Sequence, residues 1–330
     1  MAEAQKVKLK VVYMGTPDFA ATVLSHILKW EGAEVAGVYT QPDRPCGRGL
    51  ECSPSAVKKL ALEHGLPVYQ PLNFKADEDV EQLAALGADV LIVAAYGLIL
   101  PQRVLDIAPK GAINVHASLL PKYRGAAPIQ RAIMNGDAVT GITIMQMEAG
   151  LDSGPILLQR ATGIGITDTA ATMHDELADL GGRLLIDALE RLVVGELIPI
   201  VQDHESATHA AKLTKADGEI TWNRPVREVD AHIRGVHPWP GAFFALKREG
   251  CKPIRVGFEP GVMGEAVPEG IAAGTVVGLV DDKLAIACSD KLYLISSLRP
   301  ASRKPMVATA FYCGYLSECS LAECVGLDEC

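Results

Sequence analysis

The sequence predicts an α/β protein in two parts: a mostly parallel sheet clothed by helices, then a smaller β-barrel domain. Three observations predict it. Short apolar runs alternate with amphipathic helical stretches through the first half, the pattern of right-handed βαβ units. The second half changes to closely spaced short runs of alternating character separated by Gly and Asp turns. The length, 330 residues, exceeds what one ordinary core supports.

The elements follow in order. Residues 7–13 form an apolar strand. Gly15-Thr16-Pro17-Asp18 turns into a helix reaching residue 31, with Thr16 as N-cap and Pro17 at the first helical position. Residues 35–39 are a strand, 55–64 a helix, 66–69 a brief strand, 77–86 a helix and 90–94 a buried strand. Residues 101–107 read as helix, 111–115 as strand, 128–135 as helix, and 141–147 and 156–161 as neighbouring strands. A long helix over 168–197 buries Met173, Leu177, Leu180, Leu184 and Leu192 on one face, with a kink expected at Gly181-Gly182. Residues 198–211 read as a linker. A helix over 226–234 precedes the barrel strands 274–280, 283–288 and 292–297.

Composition sets the class. Hydrophobic residues make up 49% and charged residues 22%, ordinary for a soluble enzyme. No apolar run approaches the ~20 residues that span a bilayer. The polar N-terminus lacks the features of a secretory signal, so a cytoplasmic location is expected. The net charge of −9 argues against a chain that is basic overall. It is unevenly spread: residues 1–204 carry 17 basic against 24 acidic side chains, residues 205–313 carry 14 against 12, and the last 17 residues hold four acids and no base. A nucleic acid partner must therefore use a local patch. Cys313, Cys319, Cys324 and Cys330 are spaced C-x5-C-x4-C-x5-C. Zinc sites pair their ligands more tightly, so these read as free thiols in an acidic tail.

The chemistry concentrates in Asn114-Val115-His116-Ala117-Ser118-Leu119-Leu120-Pro121 and in Gly150-Leu151-Asp152-Ser153-Gly154. On a strand, residues i and i+2 share a face, so Asn114 can donate to a carbonyl oxygen while His116 handles a proton. Asp152 sits in a Gly-flanked turn that can present its carboxylate inward and stabilise an imidazolium. A dinucleotide-binding reading fails, because Gly15 is not followed by G-x-G-x-x-G and Asp43 matches the ribose-reading acid by spacing alone.

These two motifs resemble the folate-dependent formyltransferases. The likeness extends to 14–20 (MGTPDFA), 41–45 (QPDRP), 95–101 (AYGLILP), 123–130 (YRGAAPIQ), 141–147 (GITIMQM) and 238–242 (PWPGA), covering roughly residues 7 to 311. The resemblance implies a Rossmann-like catalytic domain over 1–205, an OB-like barrel that helps hold tRNA over 206–313, and a Cys-rich tail over 314–330. It implies formyl transfer from 10-formyltetrahydrofolate to the α-amine of methionine on initiator tRNA, with no metal or redox cofactor and with the protein a monomer. Asn114, His116 and Asp152 are then the catalytic residues, with Asp152 setting the imidazole tautomer, and Ser118, Leu119, Leu120 and Pro121 line the folate pocket. Arg44 and Arg48 lie in a Gly/Pro-rich loop that the family uses to read the acceptor end. Arg303 and Lys304, with Lys247, Arg248, Lys252, Arg255 and Arg299, are barrel candidates for phosphate.

Two departures stand out: Leu50 and Glu51 replace lysines that often follow the loop arginine, and Ser302 stands where glycine is common. Three alternatives remain open on sequence alone. One is a formyltransferase acting on a nucleotide-sugar or purine-precursor amine. Another is a hydrolase releasing formate from the same donor. The last is a non-catalytic tRNA- or folate-binding module.

Overall fold

A computed structural model describes residues 8–46, 51–248, 251–317 and 322–325. The chain divides into two compact units. The first holds 1–128, 139–163 and 174–210, and the second holds 129–138, 164–173 and 211–330.

The first unit begins with β1 (Leu9–Gly15), α1 (Asp18–Lys29) and β2 (Ala33–Tyr39). A hairpin follows, β3 (Arg44–Cys46) and β4 (Glu51–Ser53), then α2 (Ala56–Glu63), β5 (Val68–Tyr69), α3 (Asp77–Ala85) and β6 (Val90–Ala94). Next come α4 (Gln102–Leu105), β7 (Ala112–His116), β8 (Arg124–Gly125), α5 (Pro128–Met134, counted with the second unit from residue 129 on), β9 (Val139–Gln146), β10 (Ile156–Gly163), α6 (Ala170–Val194, in the first unit from residue 174 on) and β11 (His209–Ala210). The main sheet runs β10-β9-β7-β6-β1-β2-β5. From β7 to β5 every pairing is parallel, while β9 is antiparallel to β7 and to β10. β6 and β7 are buried along their whole length, as strands covered on both faces must be. Chain order reverses about β1, which pairs with β2 on one side and β6 on the other. Parallel sheets bind ligands at the carboxyl ends of the strands near such a reversal. The loops leaving those ends are laced together: Thr16 Oγ1 donates to Tyr96 O at 3.0 Å and Gln41 Nε2 donates to the same oxygen at 3.1 Å.

Three local expectations are corrected. Thr16 does not cap α1; its hydroxyl is taken by Tyr96 O and Gln41 N, and Pro17 occupies the N-cap position with no side-chain bond. The long helix is unbroken through Gly181-Gly182. These glycines serve close approach instead: a Cβ at 181 would lie 2.9 Å from Val115 Cγ1, and one at 182 would lie 2.2 Å from His26 Cδ2. Alanine at a helix-interior glycine normally stabilises by about 1 kcal/mol. Here Gly182→Ala must displace the His26 ring, whose Nε2 is held by Asp179 Oδ1 at 3.0 Å. Overpacking costs about 1–3 kcal/mol, so Gly182→Ala should lower the urea midpoint; a raised midpoint would contradict the close-approach assignment. Finally, 198–211 is not a free linker. Ile156 and Ile200 exchange backbone bonds of 2.8 Å, and β11 pairs parallel with β8. A polar composition concealed a segment whose backbone is committed.

The second unit contains α7 (Val226–Gly235) and the strands β12 (Phe243–Arg248), β13 (Ile254–Phe258), β14 (Val262–Ala266), β15 (Val276–Val280), β16 (Lys283–Ala287), β17 (Lys291–Ile295), β18 (Ser297–Pro300) and β19 (Met306–Val307). It closes with α8 (Ala308–Tyr315) and β20 (Ala322–Val325). Two antiparallel sheets, β19-β18-β13-β12-β20 and β14-β17-β16-β15, share one core. Phe244, Leu246 and Val256 meet Leu284, Ile286, Tyr293 and Ile295 there, with Ile233 of α7 and Phe311 of α8. This is the small antiparallel β domain that the sequence predicts. The tail supplies an edge strand: β20 alternates Ala322 and Cys324 inward, and Glu323 faces Lys247 across the pair, a favourable cross-strand charge match. Burial pushes the Cys288 thiol up to about 12 and holds Cys324 well above the usual thiol range, so both stay protonated and pack as apolar groups.

Candidate active site

β7 places Asn114 and His116 on one face at its carboxyl end, with side chains 9% and 6% exposed. The His116 Nε2 lies 2.9 Å from the Tyr123 carbonyl oxygen. A carbonyl only accepts, so Nε2 carries the hydrogen and Nδ1 is the basic nitrogen of the neutral ring. The tautomer is therefore fixed by Tyr123 rather than by Asp152. Tyr123 sits in the left-handed region (φ +62°), which turns that carbonyl.

Asp152 comes from the loop between β9 and β10. Its backbone is left-handed (φ +48°), a conformation that aspartate tolerates better than most residues. Its Oδ2 accepts from the Gly125 amide at 2.8 Å and stands 3.6 Å from His116 Nδ1. That separation is too long for a hydrogen bond and short enough to stabilise a proton arriving on Nδ1. Among the described residues the Asn114 amide has no hydrogen-bond partner. A buried amide so placed is prepared to bond something the chain does not supply. The structure thus brings Asn114, His116 and Asp152 together.

The segment after β7 is more constrained than its sequence suggests. Ser118 is fully buried and its hydroxyl donates to Lys122 O at 2.6 Å, so it shapes the wall and has no proton left for a ligand. Thr143 Oγ1 donates to Ser118 O and accepts from Leu120 N, while Gln159 Nε2 donates to Leu120 O at 2.8 Å. Leu120 is buried; Leu119 and Pro121 are half-buried.

Arg124 and Gln202 were not legible as site residues. Gln202, 3% exposed, donates from Nε2 to Asp152 O at 2.9 Å and to Gly154 O at 2.7 Å. Its Oε1 accepts from Arg124 Nε at 3.1 Å and Nη2 at 2.7 Å. Arg124 lies inside the Tyr-Arg-Gly motif, a usable signal. Gln202 lies in a polar segment with no signal at all.

The basic candidates fall in both units of the chain. Arg44 begins β3, and Arg48 lies outside the described residues. At the base of that hairpin, Asp43 is bonded by Lys58 Nζ and by Gln70 Nε2, which hold its carboxylate below the usual range. This explains Asp43 without a ribose. In the β domain, Arg303 and Lys304 are exposed in the turn between β18 and β19. Arg248 is committed to Tyr315 O at 3.0 Å, and Arg255 lies 3.8 Å over the Phe243 ring.

Comparison with known proteins agrees with this geometry. The family models for formyl transferase and for the formyl transferase C-terminal domain match residues 7–189 and 212–316. A methionyl-tRNA formyltransferase of Nitratidesulfovibrio vulgaris (strain DP4) is 61% identical over 327 residues, covering 99% of each chain. One from Marinobacter nauticus is 48% identical, covering 89% of this chain and 93% of the relative. Among solved structures, a Helicobacter canadensis N-formyltransferase in complex with folinic acid and dTDP-3-aminofucose aligns with a TM-score of 0.61 at 17% identity, over 88% of this chain and 98% of that one. HypX of Aquifex aeolicus in complex with tetrahydrofolic acid gives 0.60 at 18% identity, over 93% of this chain and 47% of that one. These two structures share the fold. By its matched domains and its full-length relatives, the chain belongs to the methionyl-tRNA formyltransferase family.

Proposed function

We infer that this protein transfers the formyl group of 10-formyltetrahydrofolate to the α-amino group of methionyl-initiator tRNA, giving N-formylmethionyl-tRNA for translation initiation. The observation that carries the reading is the buried Asn114 amide, without a partner among the described residues, beside the His116–Asp152 pair. The amine attacks the formyl carbon and an oxyanion develops, which Asn114 stabilises by donation. The amine's proton passes to His116 Nδ1, directly or through one water, and Asp152 stabilises the imidazolium. The bond from carbon to folate N10 then breaks. N10 takes up the proton, leaving tetrahydrofolate and the formylated amine. No metal or redox cofactor takes part.

Leu119, Leu120 and Pro121 give the folate an apolar wall, held in shape by Ser118. Arg44 and Arg48 are assigned to the acceptor end of the tRNA, and Arg303 and Lys304 to its phosphates. We assign the catalytic domain to residues 1–205, the tRNA-holding domain to 206–313 and the tail to 314–330. The enzyme is assigned to the cytoplasm as a monomer.

The test is formyl transfer from 10-formyltetrahydrofolate to methionyl-initiator tRNA, with uncharged tRNA and free methionine as controls. Transfer to the charged tRNA alone is the expected result. Transfer to free small amines, or formate release without an acceptor, would replace the reading. Arg48→Ala should raise KM for the charged tRNA about ten-fold, the worth of one charge-assisted hydrogen bond. KM for the folate should stay unchanged, and an unaltered KM for tRNA would remove Arg48 from the interface.

A further inference from the structure

We propose that Gln202, a residue between the spans of the two family models, is a positioning residue for catalysis: it acts by locking Asp152 beside His116. The proposal rests on the catalytic reading above.

The geometry singles Gln202 out. A side-chain amide has two N–H donors and one oxygen acceptor. Gln202 uses all of them within the site's own framework. Its donors go to the carbonyls of Asp152 and Gly154, the two ends of a three-residue turn. Its oxygen takes both the Nε and the Nη2 of Arg124. Arg124 adjoins on one side Tyr123, whose carbonyl fixes the His116 ring, and on the other Gly125, whose amide holds the Asp152 carboxylate. Gln202 thus closes a loop that joins the backbone holding the imidazole to the backbone holding the carboxylate. A further Arg124 side-chain contact, Nη2 to His204 Nδ1 at 3.1 Å, comes from the same segment.

This segment has its own reason to stay in place. Ile200 bonds Ile156 in both directions, and Thr208 to Ala210 pair with 121–126. Gln202 is therefore held on both flanks and sits at 3% exposure. Asp152 needs such a partner, because a left-handed aspartate that follows the exposed turn residues 148–151 is not held by packing. Its 3.6 Å approach to Nδ1 depends on that backbone, as among the described residues its only other anchor is the Gly125 amide.

Gln202→Met keeps the volume and removes every bond. Gln202→Glu keeps the acceptor for Arg124 and loses the paired donors, so it preserves the buried charge partner while releasing the turn. Loss of position without loss of the catalytic group is expected to lower kcat about 30-fold, with KM for 10-formyltetrahydrofolate and for charged tRNA nearly unchanged. The decisive measurement is a double-mutant cycle with Asp152→Ala. If Gln202 acts through Asp152, adding either Gln202 variant to Asp152→Ala costs less than about three-fold more. Multiplying effects would overturn the proposal and assign Gln202 a structural role alone. A folded Gln202→Glu variant with parental kcat would also overturn it. Should Gln202→Met fail to fold, the Gln202→Glu cycle decides by the same criteria. Failure of the parent enzyme itself to formylate charged tRNA would instead overturn the catalytic reading, and the two failures are separable.

Discussion

Replacing His116 by alanine should lower kcat for formyl transfer by about three orders of magnitude, within the range that positioned general acid–base groups contribute. The substitution removes the one basic nitrogen that the Tyr123 carbonyl orients and the Asp152 carboxylate faces. It should leave the fold standing. Among the described residues His116 is held by a single hydrogen bond, and freeing the Tyr123 carbonyl costs about 1–3 kcal/mol, less than a domain's usual margin. Circular dichroism melts and single-turnover rates on the same preparation separate the two effects. Affinity for charged tRNA should persist, since the tRNA contacts are assigned to other residues. A folded variant with near-parental single-turnover rate would remove His116 from the chemistry and Asp152 with it.

Asn114→Ala should lower kcat by about two to three orders of magnitude, the loss found when one oxyanion donor is removed. The physical basis is the unspent amide: 9% exposed, on the same face as His116 and without a partner among the described residues. Unlike most buried amides, it has no native bond to lose, so thermal stability should hold or rise slightly. Asn114→Asp is the sharper probe. It preserves shape and puts an acceptor, in its ionised form a negative charge, where an oxyanion must form. Its kcat should fall at least as far as in the alanine variant, with folate KM little changed. Equal loss in KM and kcat/KM with kcat intact would mean that Asn114 binds the donor rather than its transition state.

The alternation of strands and helices, the short strands of the second half and the grouping of Asn114, His116 and Asp152 were legible in the sequence, because each rests on local pattern. The i, i+2 spacing of Asn114 and His116 dictates a shared face wherever that strand is placed. The Gly-rich turn around Asp152 announces unusual backbone in the same way. The end strand β20 was hidden because four residues give too short an alternation to read, and cysteine there behaves as an apolar residue. The paired glycines of α6 read as a weakness in a helix because their partners, Val115 and His26, lie far away in sequence.

The sequence by itself determined the alternation of strands and helices in the first half, the shared face of Asn114 and His116 on β7, and which chemistry those residue types can offer, since propensity, periodicity and functional-group class are properties of neighbouring residues. Only the tertiary structure decided that Tyr123 rather than Asp152 sets the His116 tautomer, that Ser118 spends its proton inside the wall, and that Gln202 reaches the Asp152 turn from 50 positions away. Each of these is a hydrogen bond whose partner is chosen by packing. A buried donor must find whichever acceptor the fold brings within about 3 Å, and local sequence contains no record of that distance.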